Sequence, residues 1–258
     1  MKPDIMLMGI CHPGKLAYLN QSLDSVDPIQ SIFNKKILAI DQFNGHVFPQ
    51  PFKKKFTTKN WQILIDNHSS RPKSVLHALN ESESDWVFYT EDDIVLQIPN
   101  DFDLNKFDIE IDGRKLGMLS LNYGGGELNF KNKDLADLSY LEKNIYVSDE
   151  KLICFVRDEE LNDGHFFEFP GVFVKKELFK ACIEDCLKNY VGHQIERALT
   201  FSWFNLKYHE KYYKASVLRK EFLEYRYDYS VISLNKGRFF EAIDPLQGQF
   251  AYGGRTEC

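Results

Sequence analysis

No stretch of this chain approaches the ~20 consecutive apolar residues that a membrane span requires. The opening residues, Met1 to Ile10, carry one lysine and an apolar run interrupted by Asp4, and read as a first strand rather than a secretion signal. The cysteines, at 11, 154, 182, 186 and 258, are odd in number and irregular in spacing, which argues against a secreted disulfide framework. The expected setting is the cytoplasm, with at most peripheral contact with a membrane. Cys182 and Cys186 lie four apart but have no nearby Cys or His to complete a zinc tetrahedron, so they read as core or surface residues. An excess of positive charge is also missing: 32 Lys and Arg face 38 Asp and Glu, a formal net charge of −6. No basic field covers the molecule, and nucleic acid is excluded as the expected partner. Lys53-Lys54-Lys55 with Lys59 is the local exception. It reads as a solvated loop, with anionic lipid or a phosphorylated substrate as the functional alternative.

Core-forming material is plentiful. The apolar fraction is 43%, including 21 Phe, 13 Tyr and 3 Trp, and neither an internal repeat nor a low-complexity linker divides the chain. One domain over 1–258 is expected, with a change of role near residue 100. Strand-like and helix-like segments alternate through the first half: Ile5–Ile10, Lys15–Val26, Lys36–Ile40, Trp61–Ile65, Pro72–Asn80 and Trp86–Tyr89. That order predicts an α/β fold whose mainly parallel sheet is flanked by helices. Three early strands end in bend-prone polar residues, beginning at His12, Asp41 and Asp66. In open α/β sheets ligands lie beyond the carboxyl ends of the strands, where these residues would gather.

The second half is less regular and reads as mixed. Strands are expected at Leu116–Leu121, within Tyr146–Val156 and at Phe166–Val174, and helices near Lys176–Lys188 and His193–Leu206. Gly124-Gly125-Gly126 reads as a flexible turn and lacks the GxxxxGK[ST] spacing of a P-loop. The last fifty residues, aromatic and charged, give no clear element pattern.

The segment Trp86 to Thr90 is β-rich and ends in three adjacent carboxylates, Glu91-Asp92-Asp93. Like charges so placed repel unless a cation or solvent compensates them. An isolated acidic triplet is more often a solvated turn. Here it follows a buried-type strand and precedes an apolar run, which favours a hard cation held by carboxylates and substrate phosphates.

The first strand, the helix reading Tyr18 to Val26, the second strand ending at Asp41 and the acidic triplet after the next βα unit resemble the nucleotide-sugar-binding half of GT-A glycosyltransferases. In that Rossmann-like fold the acidic element, often called the DXD motif, binds a metal and the donor ribose. Glu91-Asp92-Asp93-Ile94 with Pro99, Asp101 and Phe102, and Phe167 to Gly171, are similar to two short segments of the N-acetylglucosaminyltransferase that starts complex N-glycan branching.

The resemblance implies Mn²⁺ or Mg²⁺ as cofactor, with Asp93 as direct ligand and Glu91 and Asp92 on ribose or metal-bound water. Asp41 would face the nucleoside, Arg71 and Lys73 would lie near the donor, and His209 is a candidate late ligand. The partners implied are a nucleotide sugar, UDP- or GDP-linked before others, and a glycan or glycolipid acceptor. An inverting reaction needs a carboxylate base, and Glu196 and Glu168 compete for the role, with Glu196 preferred. Two alternatives stay open. One is a sugar nucleotidyltransferase, whose Gly-rich signature Cys11 to Lys15 does not match. The other is a non-catalytic carbohydrate-binding module on the same fold.

Overall fold

Short strands that are apolar on both faces need a layer on each side, and helices supply it. The computed structural model describes residues 2–42, 46–66, 70–96, 98–121, 145–150, 152–157, 167, 171–190, 195–219 and 231–233. Its first half runs β1 (Asp4–Ile10), α1 (Pro13–Val26), β2 (Lys36–Asp41), α2 (Gln50–Thr58), β3 (Gln62–Asp66), α3 (Arg71–Glu81) and β4 (Trp86–Glu91). There follow β5 (Ile94–Leu96), β6 (Glu110–Ile111), β7 (Arg114–Leu121), β8 (Ile145–Ser148), β9 (Leu152–Arg157) and β10 (Val172–Lys175). The helices α4 (Lys176–Asn189) and α5 (Ile195–Asn205) precede β11 (Tyr212–Arg219) and β12 (Val231–Ser233).

The large sheet has the order β3-β2-β1-β4-β10-β7-β11-β9-β8, with β6 paired to β7, while β12 pairs β5 separately. β3, β2, β1 and β4 are mutually parallel. β10 runs antiparallel to both β4 and β7, and β11 runs parallel to β7. The parallel first half and mixed second half match the expected architecture.

Side chains along β1 alternate between faces, as a pleated strand requires. Ile5 and Leu7 join Leu19 and Leu23 of α1 and Phe56 of α2 in one core cluster. Met6 and Met8 join Val75 of α3, Phe179 of α4 and Ala198 of α5 in the other. Cys182 and Cys186 lie on one face of α4 in that second cluster, fully buried and unbridged. Among the described residues no helix is long and apolar enough to cross a membrane.

The lysine-rich segment read as a loop is the helix α2. Phe52 and Phe56 stand one turn apart and pack with Phe48, so the segment has an apolar stripe that the lysines mask in the sequence. Lys53 and Lys54 face solvent. Lys55 and Lys59 instead turn to α1, at 2.9 and 2.8 Å from Asp24 Oδ1. A strand was expected from Phe166, but its described part is the shorter β10. β11, which sequence patterning did not place, is buried on both faces: Lys214 and Ser216 are as enclosed as Tyr213, Ala215 and Val217. Gly124-Gly125-Gly126 lies outside the described residues.

The amino end of β1 is held by Asp4, which is 0% exposed. Its carboxylate accepts from Ser82 Oγ at 2.8 Å, Glu83 N at 2.6 Å and Ser84 N at 3.0 Å, and from Asn34 Nδ2 at 3.0 Å and Lys35 N at 3.1 Å. One side chain thus joins the entries to β1, β2 and β4. Burial opposes its charge, but the hydrogen bonds from Glu83, Ser84 and Ser82 outweigh burial and hold the carboxyl below its ordinary range. With a depressed folded-state pKa, its contribution is present above pH ~4 and is lost as pH falls through the lowered value. Asp4→Ala is expected to cost about 3 kcal/mol in urea unfolding at neutral pH. The difference from wild type should shrink in the acid range.

Candidate active site

The strand order places a switch point between β1 and β4. Connections leave β1 toward β2 on one side, while β4 pairs on the other, and such points open a crevice at the carboxyl edge. Glu91 ends β4, and Asp92 and Asp93 form the turn into β5. Asp92 is 2% exposed and Asp93 7%.

Asp92 reaches back to β1. Its Oδ2 accepts the Ile10 N–H at 2.8 Å, and its carbonyl accepts Ser22 Oγ of α1 at 2.8 Å. The close approach depends on Gly9, where an added Cβ would sit 2.8 Å from Ile40 Cδ1 and 3.5 Å from Asp92 Cβ. The charge of the triplet is met from within the chain. Lys15, on the first turns of α1, is buried and places Nζ 3.1 Å from Asp92 Oδ1 and 3.2 Å from Asp93 Oδ2. On the opposite side Arg71, the first residue of α3, places Nη2 2.8 Å from Glu91 Oε1 and donates from Nε to Tyr89 Oη at 3.2 Å.

These pairings set the local electrostatics. Burial opposes the Lys15 charge, but Asp92, Asp93 and Glu91 outweigh burial and push its pKa upward. Burial, helped by Asp93 and Glu196 and resisted by Arg71 and Lys15, pushes Glu91 up to about 7. Asp92 is also raised, by burial first and by Asp93, against Lys15.

Glu196, on the first turn of α5 and partly buried, lies near enough that its charge raises both Glu91 and Tyr89. The fold therefore brings a residue more than a hundred positions downstream to the triplet. Its helix is seated by Trp203, which fills the space left by Gly117 on β7. A Cβ at 117 would meet Trp203 Cη2 at 2.8 Å and Tyr212 Cβ at 2.9 Å.

Asp41 ends β2, buried and in register with Asp66 at the end of β3. With Met8, Gly9, Ile10, Arg71 and Ser74 it lines a small cleft at the carboxyl edge. Asp66 is paired with His77 at 2.7 Å. Lys73 is exposed on the first turn of α3.

His209 is placed elsewhere. It sits in a 3₁₀ turn, Tyr208–Glu210, its carbonyl accepting from Arg114 Nη1 at 3.4 Å. Because β7 and β11 run parallel to β4, that turn borders the amino edge of the sheet, at the opposite end of the strands from the triplet. Glu168 lies outside the described residues, although its neighbour Phe167 packs against Phe179 and Trp203.

Lys15 was the site residue that sequence reading passed over. Its signal was a lone basic residue in the first βα turn, which gains meaning only once that turn is set beside the end of β4. Asp92 and Asp93 suit a hard cation in donor type and charge, and an ammonium already lies between them. Among the described residues no three His, Cys, Asp or Glu side chains form a ready metal cage.

No protein-family model matches the chain, and no curated protein matches it by sequence. Solved structures do share its fold. A 4-diphosphocytidyl-2C-methyl-D-erythritol synthase from Anaerococcus prevotii is 14% identical with a TM-score of 0.50, covering 95% of this chain and 99% of that one. The mannosyltransferase PcManGT from Pyrobaculum calidifontis, solved with GDP-Man and Mn²⁺, is 10% identical with a TM-score of 0.50, covering 83% and 54%. TarS 1-349 from S. aureus, solved with UDP-GlcNAc, is 13% identical with a TM-score of 0.50, covering 84% and 58%. The chain thus has a GT-A-type fold, and it spans little more than half the length of these two glycosyltransferases.

Gly117→Ala is expected to destabilise the protein by about 1–3 kcal/mol through overpacking against Trp203. Thermal unfolding of the purified variant checks this.

Proposed function

We propose that the chain is a glycosyltransferase moving a sugar from a nucleoside diphosphate to a hydroxyl of a glycan, a lipid-linked sugar or a protein. In this reading residues 1–100 form the donor half of one domain and 101–258 the acceptor half. One observation carries it. At the carboxyl edge beside the switch point, three carboxylates, two compensating cations and a further glutamate converge next to the cleft lined by Asp41 and Ser74.

Asp41 would face the nucleoside, and Arg71, held by Glu91, and Lys73 would face the phosphates. Asp92, committed to Ile10 N and Lys15, positions the turn. The fold is one in which UDP- and GDP-sugar enzymes occur, and these are the first donors to test. A divalent ion, Mn²⁺ or Mg²⁺, would be held by Asp93 with Glu91 beside it, and would stabilise negative charge on the leaving diphosphate. His209, at the far edge, is left out of that set.

In an inverting reaction the acceptor oxygen bonds to the anomeric carbon while the bond from that carbon to the diphosphate oxygen breaks. The electron pair leaves on the diphosphate, and Glu196 takes the acceptor proton. Glu168 is the alternative base. Proton NMR of the product anomer distinguishes inversion from retention.

The test is a thermal-shift screen against UDP-, GDP-, CMP- and dTDP-sugars, with Mn²⁺ or EDTA. One nucleotide class should stabilise the wild type, by about 2.7 kcal/mol at a hundredfold excess over Kd, and Asp93→Ala should lose the shift. Glu196→Gln should retain donor binding while turnover falls about 10²- to 10⁴-fold. No shift with any donor would sink the reading. Release of pyrophosphate from a nucleoside triphosphate and a sugar phosphate would replace it with nucleotidyl transfer. Donor binding without transfer or hydrolysis over a broad acceptor panel would replace it with a binding module.

A further inference from the structure

Lysine is among the residues least often buried, and when buried it is paired. Lys15 is 6% exposed, with its ammonium between Asp92 Oδ1 at 3.1 Å and Asp93 Oδ2 at 3.2 Å. That is the place a hard cation would take if these carboxylates were its ligands. Both carboxylate oxygens of Asp92 are already engaged, since its Oδ2 also accepts from Ile10 N at 2.8 Å. Glu91 is drawn the other way, to Arg71 at 2.8 Å. Asp93 is the carboxylate with coordination to offer, and the ammonium stands against it.

Mg²⁺ binds oxygen at about 2.0–2.1 Å, closer than the ammonium lies. A divalent ion and an ammonium sharing one carboxylate pair would be near neighbours of like charge in a largely water-excluded place, where repulsion is strong. Glu91, Asp92, Asp93 and the nearby Glu196 are set against Lys15 and Arg71, so the cluster keeps negative charge, but the ammonium already fills the place between Asp92 and Asp93 and a free divalent ion must displace it. A diphosphate adds negative charge that favours the exchange.

We propose that Lys15 is a resident counter-cation that closes the Asp92–Asp93 pair to divalent ions until a donor diphosphate arrives. Metal and nucleotide then bind as a unit, and Asp93 passes from the ammonium to the metal. The second half of this inference rests on the donor reading above; the first half does not.

The experiment measures Mn²⁺ binding, without nucleotide, from the loss of the free-ion EPR signal. Wild type, Lys15→Arg, Lys15→Met and the double variant Lys15→Met/Asp93→Asn are compared. Lys15→Met should bind Mn²⁺ at least about tenfold more tightly than wild type, and Lys15→Arg, which keeps the charge, should not. The double variant should lose the gain. Wild type and Lys15→Met binding Mn²⁺ equally well, or equally poorly, overturns the proposal. Should Lys15→Met fail to fold in metal-free buffer, refolding by Mn²⁺ but not Na⁺, read by circular dichroism, supports it, and no recovery overturns it. Repeating the wild-type titration with UDP or GDP separates the two readings. If the nucleotide binds without raising Mn²⁺ affinity, the coupled step is wrong. If neither nucleotide binds, the donor reading fails while the Lys15 comparison still stands.

Discussion

The buried ammonium of Lys15 between Asp92 and Asp93 is the contact from which the arrangement of the site follows. Neither side of it could be buried alone. A lone buried lysine would neutralise itself, and two adjacent buried aspartates would repel. Together they fasten the first turns of α1 to the turn after β4, and the Asp92 bonds to Ile10 N and Ser22 Oγ add β1 and the middle of α1 to the same knot. The carboxyl edge at the switch point is therefore held by polar contacts between segments some seventy to eighty residues apart. Gly9 leaves the room for it.

A second ion pair stands on the α3 side. Arg71 holds Glu91 and touches Tyr89, so the end of β4 has one internal cation for each helical layer. Desolvation makes such pairs costly, and breaking one leaves an uncompensated charge. This expense is concentrated where the crevice opens, while the two core clusters beneath it are apolar. Each carboxylate of the triplet already faces an internal cation, so a ligand entering the crevice must compete with these pairs.

The second half contributes by docking. α5 is positioned by Trp203 against Gly117, and Thr200 Oγ1 returns a hydrogen bond to the Glu196 carbonyl at 2.9 Å. That fixes the first turn of the helix, and with it Glu196 near Glu91. His209 lies just beyond the other end of α5 and so at the opposite edge, because β11 starts there to run parallel to β7.

The alternation of strand and helix patterns through β4 was legible in the sequence, because short apolar runs separated by amphipathic segments leave few ways to bury both faces. The acidic triplet and its strand-end position were legible for the same reason. α2 was hidden by its lysines, and β11 by polar residues buried on both faces, since periodicity reports only elements with one wet side. The ion pairs themselves were not legible from spacing, although the resemblance set Arg71 and Glu196 at the same site as the triplet. That Lys15 neutralises Asp92 and Asp93, that Arg71 takes Glu91, that Glu196 joins them and His209 does not, depends on distances between residues remote in sequence. Local spacing determines which elements form and where a crevice opens; only the packed sheet decides which charges meet there.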